Sequence, residues 1–310
     1  MTDTRRPLEI GFLLMPTEDS AQGTIPRWTE MLALVRRAEA LGYDSVWIPD
    51  HLIIDIPRPG SRPEGAWEGW SLVAALAAAT DRITIGLLVS CTAFRNPALL
   101  AKMADTVDEI SNGRLILGLG AGWCELEFRA FGYPFDHRVG RFEEALTIIH
   151  GLLRTGKIDF EGTYYSARDC ELRPRGPRPE GPPIMIGSSA PWMLGLLAKY
   201  GEQWNGWGIQ TIDQVIQHRA KVDAAMTAAG RDPATVERTL ALLVDLPTAT
   251  GRPSEREVIG FRARTPEELA EHLFRYAEAG VGHVQLMLDP NTLGGLELAA
   301  RTLEYLDRGT

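Results

Sequence analysis

The stretch "SVWIPDHL", Ser45–Leu52, sets an acid and an imidazole, Asp50 and His51, directly behind an apolar run of strand length. Imidazole titrates near ~6.5, so such a pair suits proton transfer at neutral pH. The histidines are His51, His137, His150, His218, His272 and His283; they form no H-x-H pair and no H-E-x-x-H, and no metal site is expected. His150 and His272 lie in amphipathic segments and read as helix-surface or shell residues. His51 differs in place and company. Its bland alternative is a loop-capping contact.

Three other stretches carry groups of interest. "LGLGAGW" (117–123) does not fit G-x-G-x-x-G, because Trp123 stands at the last position. Its glycines either make room for interior packing or, at Gly120, Ala121 and Gly122, let a flat ring lie against a strand end. "IMIGSSAPW" (184–192) ends a strand at Gly187 and places Ser188 and Ser189 before a helix start, where free N–H groups and hydroxyls suit a phosphate. A plain serine N-cap is the alternative there. In "VSCTAFRNP" (89–97), Asn96 and Pro97 read as an N-cap and first-turn proline, while Ser90, Cys91 and Thr92 are expected at the same mouth as His51.

These residues need a scaffold, and the hydrophobic pattern supplies one. Apolar strand-length runs at 8–15, 45–48, 82–90, 113–122, 182–188, 203–207, 237–247 and 283–289 alternate with segments of helical period. Continuous apolar strands with helical crossovers mean a buried parallel sheet. About eight such units with no internal boundary favour a (β/α)8 TIM barrel over an open doubly wound sheet. Residues 1–310 therefore read as one domain, with a β-hairpin inserted near 158–174 and a variable loop near 248–264. Asp50 and His51 then fall at the C-terminal end of the second strand, the face that carries barrel active sites.

Composition excludes several classes. With 310 residues, 45% of them hydrophobic, the chain can bury a large core. A net charge of -9 argues against nucleic acid as a partner. No apolar run approaches ~18 residues, so no membrane span is expected, and "MTDTRRPLEIGFLLMP" lacks a signal-peptide pattern. Cys91, Cys124 and Cys170 are odd in number and far apart, which suits reduced thiols and a cytoplasmic location.

Taken together, "GYDSVWIPDHL", "TIGLLVSCTAFRNPALLAKMADTVDEISNGRLILGLGAGW" and "EFRAFGYPFDHRVGRFEEALTIIHGL" resemble the bacterial luciferase-like monooxygenase superfamily, most closely its branch that uses coenzyme F420. The resemblance runs from Ile10 to about Gly208, and it is less specific for the cofactor, because related enzymes use FMN. It implies a cofactor ring across the barrel mouth, with Asp50 on the ring's polar edge and His51 at the reactive face as acid or base. Leu88 and Val89, at a bulge that in relatives often holds a cis peptide, would back the ring. Cys91, Ala121 and Gly122 would line it, and Gly187, Ser188, Ser189 and Trp192 would hold the ribityl phosphate. The sugar-phosphate dehydrogenases of that branch carry a glutamate where this chain has Trp123, so sugar-phosphate oxidation is not expected. Glu125 and Glu127 follow closely and are expected on a solvated rim, with a position pointing into the mouth as the alternative.

The resulting expectation is F420-dependent hydride transfer to or from a small organic substrate, by a homodimer. An FMN-dependent monooxygenase fed by a separate flavin reductase is the alternative. A barrel that binds flavin without turnover is a third, against which Asp50 and His51 together speak. Trp47, Trp67, Trp70, Trp123 and Phe12 are expected to line the pocket, and loops 51–66 and 248–264 to set the substrate.

Overall fold

Eight strands alternate with helices along the chain: β1 (Glu9–Leu13), β2 (Ser45–Ile48), β3 (Thr84–Leu87), β4 (Leu115–Gly120), β5 (Ile184–Gly187), β6 (Gln203–Trp207), β7 (Glu237–Asp245) and β8 (His283–Asp289). The helices are α1 (Trp28–Leu41), α2 (Gly69–Ala79), α3 (Pro97–Ile110), α4 (Glu125–Phe131), α5 (Arg138–Thr155), α6 (Pro191–Tyr200), α7 (Ile212–Ala228), α8 (Pro266–Glu278) and α9 (Leu293–Arg308). These come from a computed structural model that describes residues 6–18, 24–55, 62–250 and 260–309.

Each strand pairs in parallel with its sequence neighbour, and β1 pairs with both β2 and β8, through Gly11↔Ser45 and Glu9↔His283. That last pairing closes the sheet. The barrel expected from the alternation is therefore present, and the open doubly wound sheet is excluded.

Alternation along the strands divides two cores. Ile10, Phe12 and Leu14 belong to the large core between sheet and helices, while Leu13 joins Trp47, Leu88, Ile116, Met185 and Ala241 in a smaller apolar cluster. Phe12, expected in the pocket, instead packs edge-on against Tyr43, at 6.3 Å between centroids. A strand that sends Leu13 one way must send Phe12 the other. Trp47 and Trp70 are also buried: the Trp47 indole N–H donates to Ser45 Oγ, and the Trp70 indole N–H to Ser90 Oγ.

Local signals hold where expected. The Asn96 side chain accepts from the backbone N–H groups of Ala98 (3.0 Å) and Leu99 (3.3 Å), and Pro97 opens α3. Lys157–Glu161 and Ser166–Glu171 pair as an antiparallel hairpin after α5. Within loop 51–66, Ile53–Ile54 pairs with Glu64–Gly65; residues 56–61, like 251–259 in the second variable loop, lie outside the described residues. Among the described residues no helix is long and apolar enough to cross a membrane.

Candidate active site

Asp50 leaves the end of β2 and is buried at once. Its Oδ2 accepts from the Ser90 hydroxyl (3.1 Å), the Cys91 backbone N–H (2.9 Å) and Arg95 Nη1 (2.6 Å), and its Oδ1 from Arg95 Nη2 (3.0 Å). Arg95 also grips Glu68, whose carboxylate caps α2 through the Trp70 and Ser71 N–H groups. Burial works against the Arg95 charge, yet Asp50 and Glu68 outweigh it and hold the guanidinium pKa above its ordinary value. This triad ties the exits of β2 and β3 to the start of α2. The Asp50 carboxylate is thus buried and held by this chain's own donors, an ion-paired arrangement the sequence did not show. Arg95 and Glu68 had no signal in the sequence pattern beyond their neighbourhood, whereas Ser90, expected at the mouth, binds Asp50 through its hydroxyl.

Ser90, Cys91 and Thr92 are likewise buried rather than open to the mouth. Cys91 clusters with Phe94 and Phe128, and burial, with the Asp50 charge beside it, pushes its thiol pKa up to about 12. A buried thiol held in its neutral form packs as a small apolar group and is a poor nucleophile.

His51 stands next to Asp50 but points its chemistry elsewhere. Its Nδ1 lies 3.1 Å from Glu127 Oε1 and 3.3 Å from Oε2, and the Leu52 backbone N–H donates to Oε2 at 3.0 Å. Glu127, on α4, is only 1% exposed, so the rim expectation fails for it and holds for Glu125, which is exposed. The cause is helical spacing. Cys124, Glu127 and Phe128 fall at i, i+3 and i+4 and turn inward together, a signal present in the sequence. An ionised carboxylate only accepts, so Nδ1 donates to Glu127 and, in the neutral ring, Nε2 carries the free lone pair. The Trp123 indole meets the His51 ring edge-on, at 5.5 Å between centroids and 78° between planes.

The strand ends beside this pair form an apolar floor. The Leu88–Val89 peptide bond is cis. Val89 lies over three glycines: a Cβ at Gly120 would sit 2.7 Å from Val89 Cγ2, and those at Gly118 and Gly187 would each sit 3.1 Å from Val89 Cγ1. At Gly122 (φ +76°) the space is filled by Phe128 and Cys91. These glycines make room for interior packing, and Ala121 and Gly122 are partly exposed at the end of β4. Met15, Val89 and Met287, all partly buried, cover the inner apolar cluster; Leu88 is buried within it.

Across the mouth, Gly187, Ser188 and Ser189 are partly exposed and lead into α6. Ser188 Oγ accepts from the Ala190 N–H (3.2 Å), and the Trp204 indole N–H donates to the Ser188 carbonyl (2.8 Å), which fixes the turn. Ala190 gives α6 no side-chain cap and Pro191 follows, so the first-turn N–H groups of Trp192 and Met193 have no capping side chain. Trp192 is exposed. Beside the mouth, Phe135, His137, Arg138, Val139, Gly140 and Tyr164 line a cavity of about 400 Å³. Among the described residues, one group has metal-ligand geometry, Glu9, Glu237 and His283, and it lies at the opposite, N-terminal end of the strands.

Known proteins agree with this architecture. The chain is 32% identical over 231 residues to the F420-dependent glucose-6-phosphate dehydrogenase of Amycolatopsis mediterranei (strain U-32), covering 71% of this chain and 66% of that one. It is 29% identical over 248 residues to the phthiodiolone/phenolphthiodiolone dimycocerosates ketoreductase of Mycobacterium tuberculosis (strain ATCC 25618 / H37Rv), covering 74% of this chain and 63% of the relative. In both cases the match spans under two thirds of the relative's own length. In fold, the chain is similar to an F420-dependent secondary alcohol dehydrogenase in complex with an F420-acetone adduct, with TM-score 0.79, 19% identity, and coverage of 96% of this chain and 99% of that one. The model of the luciferase-like monooxygenase family matches residues 8–256. A closed eight-stranded barrel and a match over most of its length lead to one conclusion: the chain belongs to the luciferase-like monooxygenase family.

Proposed function

We propose that this chain is an F420-dependent oxidoreductase that moves a hydride to or from a small organic substrate, with His51 handling the accompanying proton. The observation that carries the reading is the His51–Glu127 pair, set beside the Val89 floor at the C-terminal ends of β2, β3 and β4. Relatives named for F420 support the choice of cofactor.

The residues present fit such a group. An uncapped helix start behind Gly187, Ser188 and Ser189 offers N–H and hydroxyl donors for a phosphate, with Trp192 beside it. Val89, backed by Leu88, and the backbone of Ala121 and Gly122 offer an apolar bed for a flat ring. Bound there, F420 supplies a hydride donor or acceptor and no proton chemistry of its own to the substrate oxygen. The chain supplies the rest. Nε2 of His51 gives or takes the substrate proton, and Glu127 holds the ring through Nδ1. Asp50 acts through Arg95, Ser90 and the Cys91 N–H, keeping the strand exits in register.

Residues 1–310 are read as one barrel domain with the hairpin as its insertion, working in the cytoplasm. Leu99 and Ile110, exposed on α3, support a second copy of the chain as partner.

Titration with F420 and with FMN, followed by absorbance and fluorescence, tests the reading. F420 should bind more tightly and support turnover without oxygen. Binding of FMN alone, with oxygen-dependent turnover fed by a flavin reductase, would replace it with a two-component monooxygenase.

A further inference from the structure

At the N-terminal end of the barrel, away from His51, the strands β1, β6, β7 and β8 begin on Glu9, Gln203, Glu237 and His283. Register sets these residues side by side. Glu9 pairs with His283 and Gln203 with Glu237, while Thr239, two residues past Glu237 and on the same face, pairs with His283. One ligand atom each from Glu9, Glu237 and His283 lie within 4.8 Å of one another.

The His283 ring is fully buried, yet its Nδ1 has no hydrogen-bond partner among the described residues and stands 3.8 Å from Glu9 Oε2. The other ring nitrogen is engaged: Nε2 lies 2.7 Å from Ser45 Oγ, which accepts the Trp47 indole N–H. A ligating histidine ordinarily donates its second N–H to such an oxygen, which leaves the Nδ1 lone pair for a metal. Gln203 supports the neighbouring carboxylate. Its Nε2 donates to Glu237 Oε2 at 2.6 Å, while its own buried Oε1 has no partner among the described residues. Two buried polar atoms without partners in one place call for a ligand that satisfies them. Glu9 and Glu237 are only partly buried, so an ion can enter from the N-terminal face.

We propose that Glu9, Glu237 and His283 bind one divalent transition cation, which clips β7, β8 and β1 at the seam where the barrel closes. Two carboxylates and a neutral imidazole suit Zn²⁺ and balance its charge. Zinc bonds of ~2.0–2.2 Å in tetrahedral geometry set ligand atoms ~3.4 Å apart, so the ligand atoms need draw together by only about 1 Å. The clip acts on stability, as the N-terminal face of a barrel does, and is independent of any cofactor at the mouth. Its members come from strands far apart in the chain, so histidine spacing alone does not announce it.

The test takes the full chain, stripped of metal with EDTA, and titrates it with ZnCl₂ by calorimetry. One Zn²⁺ should bind per chain, and at ~100 times Kd it should raise Tm by about 4 °C. Glu9→Gln and Glu237→Gln should each weaken Zn²⁺ by tenfold or more, and His283→Asn should abolish the Tm shift. Zinc K-edge absorption should show a nitrogen and oxygen shell at ~2.0–2.2 Å without sulfur. Glu9 is partly exposed, so Glu9→Gln should fold, which circular dichroism checks before titration. Three outcomes would overturn the proposal: no stoichiometric binding to the wild type, affinity unchanged in Glu9→Gln and Glu237→Gln, or sulfur in the shell, which would move the ion to a cysteine.

Discussion

Glu127 Oε1 lies 3.1 Å from His51 Nδ1, a contact between the exit of β2 and the first turn of α4. The same carboxylate also takes the Leu52 N–H, so it fixes the backbone that carries His51 as well as the ring. Removing its charge while keeping its shape separates these roles. Glu127→Gln should lower kcat by about 10- to 100-fold, on the scale reported for orienting partners. KM and F420 affinity should change little, and ¹⁵N NMR should show a mixed tautomer at His51. An unchanged tautomer with normal kcat would reduce Glu127 to a packing group.

His51 itself should matter more. A positioned acid or base contributes typically ~10²–10⁴-fold to rate, and His51→Asn should lose turnover on that scale while binding F420 normally. If His51 only caps its loop, the variant melts at lower temperature but keeps its activity per folded molecule.

Asp50 makes the opposite expectation. Its side chain and that of Arg95 are 0% and 10% exposed, so Asp50→Ala leaves a buried guanidinium with Glu68 alone. Loss of one partner from a buried pair costs about 3 kcal/mol or more. Urea unfolding should show that loss, and the Asp50→Ala/Arg95→Ala double variant should recover part of it. A direct cofactor contact would instead weaken F420 binding with stability intact.

The serine turn tests the phosphate site. Ser188→Ala with Ser189→Ala should weaken F420 by roughly 1–3 kcal/mol, the scale of hydrogen bonds to a charged group. An analogue without the phosphate should be indifferent to the change. Equal losses for both ligands would move the phosphate elsewhere.

His283 links stability to pH. It is fully covered, and burial pulls its pKa down to about 3. An unfolded imidazole titrates near ~6.5. The unfolded chain therefore binds the proton first, and stability is lost as pH falls from ~6.5 toward the folded value. Across that window the wild type should lose roughly 1.4 kcal/mol per pH unit more than His283→Asn. Parallel pH curves for the two proteins would remove His283 from the account.

Local chemistry made much of this protein legible in its sequence. Apolar runs of strand length, each followed by a helical period, dictate parallel strands with crossovers, because only that arrangement buries them on both faces. Asn96–Pro97 marks the start of α3 through its own hydrogen bonding. The order "SVWI" then "PDH" places an acid and an imidazole at a strand exit. Tertiary structure decided the rest. Glu127 reaches His51 across 76 residues and Arg95 reaches Asp50 across 45, contacts that depend on how far the sheet curves and on which way a short helix turns. Asp50 and His51 are neighbours in sequence, yet one is buried in an ion-paired network and the other faces Trp123. Successive side chains at a strand exit point apart, so adjacency could not say which would be structural and which chemical. Closure of β1 on β8 brings every strand end to one mouth, and the contacts made there, Arg95 with Asp50 and Glu127 with His51, separate the two neighbours.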